Sequence, residues 1–127
     1  MRKIYFIIFS LIMLVSCGIG SENSAKKYLD KAAKEVAVPM QVDYATTLIS
    51  CEFDGQDIIY EYNVDESYAL ISELKEYENI IREGIESNLE KPQTRELQEK
   101  LREVGGKMIH NYIGSETGEV MSIVIEI

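Results

Sequence analysis

The last nine residues, Glu119 to Ile127, keep a strict two-residue period, with Met121, Ile123, Ile125 and Ile127 on one side and Val120, Ser122, Val124 and Glu126 on the other. Successive strand side chains point to opposite faces, so this alternation specifies a β-strand with one face buried. A run so apolar on one side predicts an internal strand, because a sheet edge of that kind would invite pairing with other chains. Its other side is mixed, so the sheet needs a cover on one face only, and the rest of the chain has to supply it.

That cover is legible as helices. Ala25, Tyr28, Leu29, Ala32, Ala33 and Val36 recur at helical spacing, with Ser24 as a candidate cap and Pro39 closing the segment. Residues 66 to 89 carry Leu70, Ile71, Leu74, Tyr77, Ile81, Ile85 and Leu89 on one stripe, which predicts a long helix capped by Asp65. Gly84 within it lowers helix propensity by about 1 kcal/mol and suggests a bend. A short third helix is expected after Thr94, with Leu97, Leu101 and Val104 inward and Gly105-Gly106 at its end.

The remaining segments read as strands. Met40 to Phe53 lacks Gly and Pro and predicts one long strand, with Ile49, Cys51 and Phe53 opposite Leu48, Ser50 and Glu52. Asp54-Gly55 is a hairpin turn signal, followed by a return strand from Asp57 to Val64. Lys107–Ile113 and Glu119–Ile127 predict a second hairpin around Gly114 to Gly118. The order α-ββ-αα-ββ predicts an α+β fold, a four-stranded antiparallel sheet with helices packed on one face. Gly55-Gln56-Asp57-Ile58-Ile59-Tyr60-Glu61-Tyr62 also echoes Gly105-Gly106-Lys107-Met108-Ile109-His110-Asn111-Tyr112, as two strands obeying the same rules would.

The amino terminus carries a different kind of information. Met1-Arg2-Lys3, an apolar run from Ile4 to Val15 and then Ser16-Cys17-Gly18 follow the order of a secretory signal. The run is shorter than the roughly 17–25 apolar residues that a membrane-spanning helix requires. Leu14-Val15-Ser16-Cys17 resembles the lipobox of bacterial lipoproteins. That resemblance implies diacylglycerol on the Cys17 sulfur, cleavage before Cys17, and a protein held in the bacterial cell envelope by lipid, facing the periplasm from the outer membrane in a two-membrane host. Residues 1–16 are then the signal peptide, 17–23 a tether and 24–127 a single domain.

Arg2 and Lys3 are the only charged residues of that signal, so the chain's net charge of −9 becomes −11 after cleavage. A surplus of carboxylates argues against nucleic acid as a partner, since phosphate must be neutralised by Lys and Arg. Cys51 is the single thiol left once Cys17 carries lipid, so the fold rests on its hydrophobic core rather than on an internal disulfide.

No residue pattern points to catalysis, a cofactor or a metal. His110 is the single histidine and has no zinc-like spacing to another ligand. Glu52, Asp54, Asp57 and Glu61 cluster around the first hairpin without the spacing of a calcium loop. Ser115, Glu116 and Thr117 have no neighbouring base for nucleophilic work. Tyrosine is the notable residue: Tyr44, Tyr60, Tyr62 and Tyr112 all fall in the expected strands, where an apolar ring with a polar tip suits either a core or a recognition surface. With helices on one face, alternation leaves Tyr44, Leu48, Ile59, Val120 and Val124 on the open side as a candidate partner-binding surface. A Pro before Val42-Asp43-x-x-Thr46, then Tyr60-x-Tyr62, then Gly106-x-x-Ile109-x-x-Tyr112 with Gly118 resembles small secreted bacterial proteins of unassigned function. This implies export and an α+β fold, and no activity. The expectation is a non-enzymatic envelope protein that binds a protein or peptide. The alternative is an inhibitor or immunity-type lipoprotein that neutralises a toxin or cell-wall hydrolase.

Overall fold

The computed structural model describes residues 22–127. Cys17, its lipobox and the tether as far as residue 21 lie outside the described residues. The first helix, α1, spans Glu22–Lys34, three residues longer at its start than its apolar pattern required. It buries Ala25, Tyr28, Leu29, Ala32 and Ala33, with Val36 buried just past its end. Lys31 and Lys34 occupy its last turn, where cations complement the helix dipole.

The long strand expected from Met40 to Phe53 is interrupted. Met40–Gln41 forms a two-residue strand, β1, and after a tight loop Thr46–Phe53 forms β2. The loop forms because the Asp43 carboxylate accepts the Ala45 amide at 2.9 Å while Val42 N–H donates to the Thr46 carbonyl at 2.8 Å. Local side-chain bonding of this sort turns a chain whose β-propensity alone would keep it straight. β3 spans Ile58–Val64. Residues 66–70 do not form the expected start of the long helix. The helical stripe instead divides into a short α2, Ile71–Leu74, a 3₁₀ turn at Lys75–Tyr77, and α3, Glu78–Leu89, which runs through Gly84 without a break. A 3₁₀ turn at Pro92–Thr94 leads into α4, Arg95–Glu103, then β4, Lys107–Gly114, and β5, Val120–Glu126.

The sheet corrects the expected topology. It has five strands in the order β1-β2-β3-β4-β5, and the central β3/β4 pair is parallel while the other pairs are antiparallel. The cause is the connection from Val64 to Lys107, which carries three helices across the sheet and returns the chain in its original direction, as a crossover does. The sequence echo becomes physical here. Ile58 pairs with Met108, Tyr60 with His110 and Tyr62 with Tyr112, so each echoed residue lies beside its counterpart.

Two further expectations about the sheet are corrected. β5 is an edge strand rather than an internal one. Its edge is partly guarded by Arg82 of α3, whose Nη1 donates to the Val124 carbonyl at 2.6 Å, and such cover limits edge pairing. Leu48 does not lie on the open face. A β-bulge between Leu48 and Ser50 shifts the register, so Leu48 shares the covered face with Cys51 and Phe53 and is fully buried, while Ile49 turns outward. One extra residue in a strand reverses the side-chain alternation beyond it.

The core is one cluster between this sheet face and the helices, centred on Leu48, Tyr60, Met108, Ile123 and Ile125 against Leu29, Ile71 and Leu101. α1 covers β2 and packs on α4, whereas α2 and α3 lie toward β4 and β5. This division leaves a hollow over the middle of the sheet at one end.

Candidate functional site

That end is where the parallel strands finish, and it is held by one carboxylate. Glu66, two residues beyond β3, accepts the amides of Ile71, Glu116 and Thr117 at 3.1, 2.9 and 2.7 Å and the Thr117 hydroxyl at 3.0 Å. Its own amide donates to the Ser115 hydroxyl at 3.1 Å. Four donors on one carboxylate favour its charged form and hold its pKa down to about 2. Gly114 makes room for it, since a Cβ there would fall 2.4 Å from the Glu66 carboxyl carbon. Ser115, Glu116 and Thr117 thus serve to clasp the β4–β5 turn to the exit of β3.

Inside, the parallel register lays four rings in a row. Tyr60 and His110 stack with centroids 4.5 Å apart, His110 and Tyr62 at 5.8 Å, and Tyr62 and Tyr112 at 4.5 Å. The Tyr62 hydroxyl and His110 Nδ1 are 2.8 Å apart, whereas the buried Nε2 has no hydrogen-bond partner among the described residues. Burial pushes the His110 pKa down to about 3, so the imidazole is neutral and behaves as part of the core.

At the outer end of this row lies a cleft of about 440 Å³ whose floor is Tyr62 and Tyr112. One wall is α3, which presents Ile80, Ile81, Gly84, Ile85 and Asn88. The opposite wall is the β1–β2 corner with Val42, Asp43 and Thr46, and Leu74 closes one end. A Cβ at Gly84 would meet nothing within 4 Å, so the glycine widens the cleft rather than bending its helix. Large exposed apolar side chains accompany the lining: Ile80 on the wall itself, Tyr77 beside Leu74 in an adjoining hollow, and Tyr44, next in the chain to Asp43, which meets Tyr68 edge-on with centroids 5.2 Å apart. The cleft opens at the carboxyl ends of the parallel pair, the position that open α/β sheets favour for ligands because the connecting segments diverge there.

The residues expected to form a partner surface are therefore separated. Tyr44 is 74% exposed but sits in the β1–β2 loop, not on a strand. Ile59 and Val124 do share the open face, in register with Ile109 between them, and Val120 is exposed at the start of β5. Leu48 belongs to the core. Cys51 is partly buried and burial pushes its thiol up to about 12, so it stays protonated. Of the hairpin carboxylates, Asp54 accepts the amides of Gln56 and Asp57, and Asp57 accepts that of Lys107; both close their own turn. Among the described residues, no group of three or more His, Cys, Asp or Glu side chains is placed to hold a metal ion.

Sequence reasoning missed the cleft. Its one local trace was a glycine in the middle of an amphipathic helix, flanked by isoleucines.

No protein-family model matches the chain, and no curated protein does. Among solved structures, the fold is similar to the crystal structure of a Pseudomonas aeruginosa protein provisionally described as secreted. The match has a TM-score of 0.66 at 17% sequence identity and covers 83% of this chain and 91% of that one. It shows that this α+β fold recurs in that Pseudomonas protein. No helix among the described residues is long and apolar enough to cross a membrane.

Proposed function

We propose that the chain is exported, anchored to the bacterial envelope through lipid on Cys17, and works there as a non-enzymatic module that binds a protein or peptide in the cleft between α3 and the sheet. The observation that carries this reading is the cleft itself: a preformed hollow with an aromatic floor, mostly apolar walls and a few polar groups, which is how recognition sites are generally built. The nearby histidine supports binding over chemistry, because it is buried, neutral and stacked within the core. The export signal and the likeness to a protein described as secreted support the location.

A site-specific photocrosslinker tests the binding surface in cells. Placed at Ile80 on the cleft rim, it is expected to give a discrete adduct that is absent when it is placed at Lys31 on the far helix. An adduct from Ile59 on the open sheet face, with none from Ile80, would move the binding surface to the other side of the sheet. Mass spectrometry of the mature protein tests the anchor, with an acylated Cys17 at the new amino terminus as the expected result.

A further inference from the structure

We infer that the segment bound in this cleft is a short extended peptide stretch with an apolar centre and basic flanks; the inference rests on the cleft being the binding site. Its length follows from the wall. From Ile80 to Asn88 the helix advances about 12 Å at 1.5 Å per residue, which spans about four residues of extended chain at 3.3 Å each. Gly84 lies midway along that wall, with open space where a side chain would be. A glycine in a helix interior is unfavourable, and here it leaves the depth that another backbone needs to approach closely. The apolar centre follows from Tyr62 and Tyr112 below and the isoleucines of α3 beside it.

The basic flanks follow from charge. Asp43 is the one ionisable acid or base on the cleft walls. One of its carboxylate oxygens is engaged by the Ala45 amide, which fixes the group at the rim. The helix that builds the facing wall, α3, has three acidic residues, Glu78, Glu83 and Glu86, against one basic one. The one cation within α3, Arg82, is directed to the β5 edge, where it meets the Val124 carbonyl and Glu78. An acidic partner would meet repulsion from Asp43 and from the acidic surplus on the outer surface of α3, and a basic one would be steered in.

Isothermal titration of the mature domain, made soluble by Cys17→Ser, tests this with four seven-residue peptides. Three share a Leu-Phe-Leu centre flanked on each side by paired lysines, serines or glutamates. The fourth keeps the lysines around a Ser-Gly-Ser centre. The lysine-flanked apolar peptide is expected to bind about tenfold more tightly than its glutamate counterpart, with the serine version between them. Asp43→Asn should weaken the lysine peptide roughly threefold and leave the serine peptide unchanged, as a partly exposed charge pair would. Gly84→Leu should abolish binding of all three apolar peptides; Gly84→Ala, which disturbs the fold less, should weaken them in the same order. Equal affinity for lysine and glutamate flanks would overturn the charge assignment while leaving the cleft as the seat. Equal affinity for the apolar and Ser-Gly-Ser centres would reduce the effect to surface electrostatics and overturn the inference. No binding by any peptide with an apolar centre would remove the cleft reading on which it rests.

Discussion

His110 allows the packing of the sheet to be read from a pH titration. It is the chain's single histidine, 1% exposed, and burial pushes its folded pKa down from 6.5 to about 3. The unfolded chain therefore takes up a proton near pH 6.5 that the folded chain refuses. Stability is full above pH 6.5 and falls as the pH drops toward 3. The loss between pH 7 and pH 5 is about 2 kcal/mol, from roughly 1.4 kcal/mol for each unit of pH over which only the unfolded state is protonated. That figure is insensitive to the folded pKa, since any value below about 4 gives the same loss at pH 5. The carboxylates held below their usual range, Asp54, Asp65 and Glu66, contribute chiefly at lower pH, so this window belongs to the imidazole. Urea unfolding followed by far-ultraviolet circular dichroism is the assay. With a slope of about 1–3 kcal/mol per molar for a domain of this size, the midpoint should fall by about 1 M between pH 7 and pH 5. In His110→Phe, where a ring still completes the stack but nothing titrates, the midpoint should hold steady across the same range. A wild-type midpoint unchanged between pH 7 and pH 5 would refute the reasoning, because it would mean that the imidazole accepts its proton as readily folded as unfolded.

Three other perturbations test the end of the sheet where the cleft opens. Gly84→Ala should stabilise the domain by about 1 kcal/mol, the helix-propensity difference alone, because its new methyl group meets open space; thermal unfolding should show the midpoint rising by roughly 4 °C. Gly114→Ala should destabilise by roughly 1–3 kcal/mol, since its Cβ must displace the Glu66 carboxylate from its donors, and the thermal midpoint should drop accordingly. Glu66 itself, with its folded pKa depressed to about 2, contributes stability that is present above pH 4.5 and lost as the pH falls toward 2. Glu66→Gln should therefore be less stable than wild type at pH 7 and should decline less steeply between pH 4.5 and pH 2 in acid unfolding.

What the sequence discloses, and where it stops, follows from the range of each signal. α1, β3, α4 and the alternation of β5 are carried by neighbours within one or two turns, and they emerge much as the residue pattern dictates. The failures concern relations between segments. Leu48 shows this at the scale of one residue: a bulge is invisible to a period-2 reading because either phase of the alternation gives a plausible strand, and only the pairing of Leu48 with Tyr62 and of Ser50 with Glu61 fixes the shift. Asp65–Leu70 shows it over a longer range. The apolar stripe permits a helix from residue 66, but the Glu66 side chain is claimed by amides some fifty residues away, and local propensity yields to that contact.

The echo between Gly55–Tyr62 and Gly105–Tyr112 is a pairing as well as a likeness. Two similar strands in separate hairpins need not touch. Two similar strands joined by a crossover can lie parallel with like residues abreast, which is how Tyr62 comes to stack on Tyr112 and Tyr60 on His110. Parallel pairing also brings both strand exits to the same end of the sheet, where the chain must depart in two directions. The Glu66 clasp closes one side of that divergence, and Gly84 keeps the α3 side open. The cleft is thus a consequence of topology as much as of its lining. A strictly antiparallel order would have sent Tyr62 and Tyr112 to strands running in opposite directions, with no common exit at which a hollow could form.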